Sequence, residues 1–190
     1  MKKYYSDTEN VKWITAYADN IPLDDCKADA SVLILSIHHF SDLEKCIKEI
    51  NRITKEKILI LTFDPEIYTK FWLFDYIPEL KNYYYDRLLN FTELYKVLED
   101  ICKREVKETV FKIPCDCCDL FSAAAWKRPE IFLDTAARKS MSPFSYIDEN
   151  YINKGLSNLK RDIDDNTFDK RYHTFLDNVE VDLGCRLLIV

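Results

Sequence analysis

Residues 28–65, ADASVLILSIHHFSDLEKCIKEINRITKEKILILTFDP, decide how this chain folds, because an apolar strand, a capped helix and a second apolar strand follow in direct succession. Residues 30–37 (ASVLILSI) are a short, nearly unbroken apolar run rich in branched side chains, the pattern of a central strand buried on both faces of a parallel sheet. Ser41-Asp42-Leu43-Glu44 has the spacing of a capping box, in which the Ser41 hydroxyl and the Glu44 carboxylate satisfy backbone N–H groups at a helix start. Leu43, Cys46, Ile47, Ile50 and Ile53 then recur at helical spacing, with Glu44, Lys45, Lys48, Glu49 and Arg52 on the other face. Residues 57–63 (KILILTF) return as a second buried strand. A crossover between parallel strands is almost always right-handed. Both strands then end at one edge, so His38, His39, Asp64 and Pro65 gather where ligands bind in open α/β sheets.

A chain of 190 residues is most simply one domain with a proper core. Hydrophobic content of 47% and charged content of 32% argue against disorder. Acidic residues outnumber basic ones by 33 to 27, which leaves no general attraction to a phosphate backbone, so nucleic acid is not an expected partner. The opening MKKYYSDTEN lacks the apolar core of a signal peptide, and no run approaches membrane-spanning length. A cytoplasmic protein without a membrane partner is expected. The seven cysteines are scattered and odd in number, which favours reduced thiols over a disulfide framework. Cys115-Asp116-Cys117-Cys118 supplies at most three thiolates with no second Cys or His pair at ligand spacing, so no metal site is expected. The glycine count is the most telling number: Gly155 and Gly184 are the whole supply, too few for any glycine-rich nucleotide or phosphate loop.

Along the rest of the chain, residues 10–17 (NVKWITAY) read as a strand and residues 18–25 (ADNIPLDD) as a loop. Residues 67–80 (IYTKFWLFDYIPEL) form a short aromatic helix or lid, which either packs on the core or covers a substrate. Asn90-Phe91-Thr92-Glu93 starts another helix, whose stripe Leu94, Val97, Leu98 and Ile101 runs to about Lys103. Residues 106–113 (VKETVFKI) are a strand stopped by Pro114, and residues 119–138 are helix-prone but broken at Pro129. Ile152, Leu156, Leu159 and Ile163 mark a long amphipathic helix, in which Gly155 costs about 1 kcal/mol relative to alanine. Residues 182–190 (DLGCRLLIV) close the chain as a strand. The order of elements implies a mixed sheet covered by helices.

Several stretches taken together, VKWITAYADNIP (11–22), DASVLILSIHHFSD (29–42), EINRITKEKILILTFDP (49–65), FWLFDYIPEL (71–80), DCCDLFSAAAWKRPE (116–130) and DLGCRL (182–187), resemble the class I S-adenosylmethionine-dependent methyltransferases of the type 11 group. The resemblance implies an α/β fold with a Rossmann-like sheet and helices on both faces, S-adenosylmethionine as cofactor and a small-molecule methyl acceptor. It also implies that the family's first βαβ unit, with its acidic, glycine-rich cofactor loop, is missing, so that residues 1–190 form a single, N-terminally truncated methyltransferase domain with helical lid or insert segments near 66–90 and 116–180. Tyr17, Ala18 and Asp19 fall where the family's loop approaches the adenine, and Leu35 and Ser36, with His38 and His39, fall beside the methyl group and acceptor. Either histidine is then an optional general base, because methyl transfer from an already activated sulfonium rests mainly on proximity and orientation; His39 reads equally as a structural turn residue. Without the missing strands the strand at 30–36 has an open, apolar edge, which invites a homo-oligomer or a complementing chain. The expected function is therefore a methyltransferase-family protein incomplete or inactive as this chain alone, or else a non-catalytic remnant that works by association.

Overall fold

The computed structural model of the chain describes residues 10–88 and 90–190; the first nine residues of the opening read above for a leader lie outside them. A four-stranded sheet holds the fold together in the order β1-β2-β6-β3. Strand β1 (Ala28–Ile34) runs parallel to β2 (Thr54–Phe63), with Leu33 opposite Ile60 and Ile34 opposite Leu61. Strand β6 (Cys185–Ile189) lies antiparallel between β2 and β3 (Lys107–Val110), with Leu187 opposite both Leu61 and Thr109. A second, two-residue pairing joins β4 (Ile113–Pro114) to β5 (Glu180–Val181).

The pleat of β2 divides the core in two. Ile58 and Ile60 face a cluster with Leu33, Ile37, Ile47, Ile50, Leu94, Leu98 and Leu188, which is roofed by α1 (Leu43–Ile53) and α5 (Phe91–Cys102). Alternate residues point to opposite faces of a strand, and Leu61 and Phe63 accordingly join the other cluster. There the short helices α2 (Pro65–Tyr68), α3 (Leu73–Tyr76) and α4 (Glu79–Tyr85) meet the longer α7 (Glu149–Asp164) and α8 (Thr167–Leu176) through Tyr68, Phe74, Leu80, Leu159 and Phe168. The aromatic stretch 67–80 is thus core: Tyr68, Phe71, Trp72, Leu73, Phe74 and Ile77 are all buried.

Several expectations are corrected. Strand β1 is an edge strand rather than the central one its apolar run suggests, because β2 is its single ladder partner among the described residues, which agrees with the open edge expected at 30–36. Its outer face is uncovered: Val32 is 64% and Ile34 63% exposed, while Leu33, pointing the other way, is buried. Among the described residues, 10–17 form no strand, and Tyr17 makes an isolated bridge with Asn20. The cap of α1 is Asp42, whose carboxylate accepts from the Lys45 N–H at 3.0 Å and pairs with the Lys45 ammonium at 3.1 Å. Ser41 therefore sits one residue too early to cap, and Glu44 pairs instead with Lys48. Asn90 does cap α5, accepting from the Glu93 N–H. The residues at 106–113 split into β3 and β4, and 119–138 is built from 3-10 turns (Ser122–Ala125 and Pro129–Leu133) and the five-residue helix α6 (Thr135–Lys139) rather than a longer helix.

Both glycines are positions of close approach. A Cβ on Gly155 would lie 2.5 Å from the Tyr76 carbonyl oxygen and 2.5 Å from Ile77 Cγ1, so Gly155 lets α7 pack against the end of α3. Gly184 has φ +78° and receives the Asp64 N–H on its carbonyl at 2.8 Å, which joins the start of β6 to the end of β2.

Candidate functional site

The chain leaves β1 through Leu35, which has φ +46°, a conformation that a bulky side chain adopts only where its surroundings impose it. The Leu35 N–H still donates to the Leu61 carbonyl at 2.9 Å, so the kink begins while the strand pair is intact. A 3-10 turn (Ile37–His39) follows, closed by the His39 N–H on the Ser36 carbonyl. This turn sets the His38 and His39 rings 4.0 Å apart at the C-terminal ends of the two parallel strands. Asp64 and Pro65 leave β2 at the same end but start α2: Asp64 accepts from the Glu66 N–H, and Pro65 takes the first helical position, where it has no N–H to leave unpaired.

Leu35, His38 and His39 line one cavity of about 160 Å3. Its floor is Phe63, and its far wall comes from Tyr84, Phe121, Ser122, Met141 and Pro143. Burial, then the neighbouring His39 and the positive field of Arg87, hold the His38 imidazole down to about 4, so it is neutral at pH 7. Behind the wall a triangle of hydroxyls is buried: Ser122 Oγ lies 2.7 Å from the Tyr68 hydroxyl and 3.3 Å from that of Tyr84, and the two tyrosine oxygens are 3.4 Å apart. Burial pushes Tyr84 up to about 12 and raises Tyr68 well above its ordinary value, so both remain protonated. The arrangement offers a neutral proton acceptor beside a largely apolar chamber, at the edge where open α/β sheets take their ligands.

Tyr17, Ala18 and Asp19 do not line this cavity. Tyr17 is 82% exposed, and Asp19 lies close enough to the start of α1 for its charge to act on Lys45 and Cys46. The loop after them is anchored by two residues read above only as the polar face of α1. Glu49 Oε1 accepts from the Ile21 N–H at 2.8 Å, while Arg52 bonds Glu49, Asp25 and the Ile21 carbonyl. Arg52 in turn holds the Glu49 carboxyl down to about 2. Ser36 contributes its carbonyl to the histidine turn.

The sequence reading also missed Tyr84 and Ser122. Tyr84 stands in the run Tyr83-Tyr84-Tyr85, where nothing distinguishes the inward ring, and Ser122 adjoins three alanines in a stretch without helical or strand period. Among the described residues no three His, Cys, Asp or Glu side chains come together as a metal-binding group.

A mixed sheet with helices on both faces and a cavity at the parallel strand ends fits the class I, Rossmann-like architecture. Residues 1–61 match the profile of the type 11 methyltransferase domain. An Anabaena variabilis protein described as a methyltransferase from an antibiotic biosynthesis pathway has a solved structure that superposes with a TM-score of 0.91 at 36% sequence identity, covering 96% of this chain and 74% of that one. The YcgJ protein of Bacillus subtilis shares the fold alone, with a TM-score of 0.50 at 15% identity over 99% of this chain and 74% of its own. No curated protein matches this sequence. The chain belongs to the S-adenosylmethionine-dependent methyltransferase family.

The described residues do not by themselves fit the whole of that cofactor. Both glycines are taken up in packing, against Tyr76 and against Asp64, so no glycine cradle is left for the methionine end. The adenine-side candidates Tyr17 and Asp19 are exposed at the surface.

Proposed function

We propose that these residues form the acceptor side of a methyltransferase acting on a small molecule, and that cofactor binding requires a further unit seated along the free edge of β1. That unit is either more of the same polypeptide or another chain. The observation that carries the reading is the cavity at the ends of β1 and β2, lined by Leu35, His38 and His39 and closed by residues from the two helical segments, 66–90 and 116–180. In this reading those segments select the acceptor, and His38, neutral at pH 7, receives a hydrogen bond from the acceptor's nucleophilic group. Leu35 and Ser36 hold the turn that places it. A chimera that adds to this chain the segments of the Anabaena protein it does not match tests the proposal by calorimetric titration with S-adenosylmethionine. Micromolar binding by the chimera is the expected result; a folded chimera that does not bind the cofactor would overturn it.

A second reading rests on a separate observation, the uncovered face of β1 with Val32 and Ile34 exposed. An edge strand of this kind is a template for strand pairing, and a non-catalytic protein working by association would use it. Light scattering decides between an oligomer, which this reading requires, and a monodisperse monomer, which counts against it. No helix among the described residues is long and apolar enough to cross a membrane; a cytoplasmic location is part of our proposal.

A further inference from the structure

The cavity beside His38 carries information about what it holds, and this inference rests on reading that cavity as the acceptor site. Its size comes first. A cavity of about 160 Å3 is close to the roughly 150 Å3 of an apolar cavity that takes up benzene. It therefore has room for one ring with a small substituent.

Charge is the second constraint. Apart from the histidines, the lining is Leu, Phe, Tyr, Ser, Met and Pro, so no lysine, arginine, aspartate or glutamate is present to pair with an ionic ligand. The nearby Arg87 is engaged with the rings of Tyr83 and Tyr146, 4.3 and 4.7 Å from their centroids, and does not line this cavity. A cation brought here would be desolvated without a counter-charge and against the positive field of Arg87, and an anion would have only that field, from a guanidinium outside the lining, to offset its desolvation. The wall itself responds in this way: His38 resists gaining a proton and Tyr84 resists losing one, both chiefly through burial.

The third constraint is polar. Three hydroxyls in a triangle can each donate once and accept once within it, which leaves a spare lone pair on the oxygens of Ser122 and Tyr84, two residues that line the cavity. A neutral imidazole adds one donor and one acceptor nitrogen. A ligand hydroxyl matches this set, whereas a pure hydrocarbon leaves it unused. Phe63 and Phe121, with ring centroids 6.2 Å apart, both line the cavity and supply aromatic surface for a ring.

We infer that the cavity takes an uncharged, single-ring acceptor bearing one hydroxyl group, held by His38 and the Ser122–Tyr84 hydroxyls against Phe63 and Phe121. The probes are p-cresol, toluene, 4-hydroxybenzoate and tyramine, which share the ring and differ in hydroxyl and charge, titrated into the full chain at pH 7.5 with ligand-observed NMR. The expected result is that p-cresol binds about 10-fold tighter than each of the other three, a margin of about 1.4 kcal/mol. Ser142 is exposed on the rim, so Ser142→Trp can block the mouth without disturbing the core; it is expected to abolish p-cresol binding. Equal or tighter binding of a charged congener or of toluene, no binding by any probe, or p-cresol binding unaffected by the rim variant overturns the inference. The two proposals fail separately. Selectivity for p-cresol in a chain whose chimera never binds cofactor removes the methyltransferase reading and leaves the pocket chemistry standing, and cofactor binding without p-cresol selectivity does the reverse.

Discussion

Replacing His38 by glutamine should make the protein's stability less sensitive to acid. In the folded chain His38 is held down to about 4 by burial, by His39 and by Arg87, against an ordinary value of 6.5. Between these two values the unfolded chain takes up a proton that the folded chain refuses. Stability therefore falls as pH is lowered from 6.5 towards 4, and falls no further on this account once both states are protonated. Complete burial would make the difference worth roughly 3 kcal/mol. His38 keeps partial contact with solvent, and screening reduces the expected loss to about 1–2 kcal/mol. Glu49, held down to about 2 by Arg52, also loses its contribution in acid, but it does so in wild type and variant alike and cancels in the comparison. The assay is urea unfolding of wild type and His38→Gln at several pH values from 4 to 7.5, with the His38 ring titrated by NMR in parallel. The variant should gain about 1–2 kcal/mol relative to wild type on going from pH 7 to pH 4. Parallel stability profiles, or a His38 ring that titrates at its ordinary value, would refute the reasoning.

Three further outcomes follow from the packing. Gly155→Ala should destabilise by about 2 kcal/mol, because overpacking against the fixed Tyr76 carbonyl outweighs the helix-propensity gain of about 1 kcal/mol; a higher urea midpoint in the variant would contradict this. Ser122→Ala strips a partner from the buried Tyr68 and Tyr84 hydroxyls and should cost about 1–2 kcal/mol in the same assay, whereas an unchanged midpoint would show that the triangle contributes nothing. Arg52→Leu releases the loop at 21–26, so hydrogen exchange at the Ile21 and Cys26 amides should quicken while β2 stays protected; unchanged exchange at both amides would count against the clamp.

Much of this architecture is legible in the sequence wherever one local pattern coincides with one tertiary role. The stripe Cys46, Ile47, Ile50 and Ile53 is the buried face of α1, and residues 57–63 fall within β2. The exposure of β1 is not legible, because ASVLILSI reads the same whether its outer face is covered or bare; burial there depends on neighbours that the strand's own residues do not specify. The cap shifted from Ser41 to Asp42 because either side chain can serve, and where the helix starts decides between them. Gly155 looked like a defect in a helix because its reason lies on α3, far away in sequence. At the candidate site, the placement of His38 and His39 just beyond a strand end is legible in the sequence. Tyr84 and Ser122 could not, since their part depends on a hydroxyl contact with Tyr68 across a long sequence separation.

The central claim is that these 190 residues hold the acceptor side of a methyltransferase site without a cradle for its cofactor. Calorimetric titration of S-adenosylmethionine into the chain alone tests it most directly. The expected result is no measurable binding, with any dissociation constant weaker than about 1 mM. Saturable binding in the micromolar range by this polypeptide would contradict it, and would mean that the residues from Tyr17 to Asp19 and from Leu35 to His39 suffice to hold the cofactor without a glycine loop.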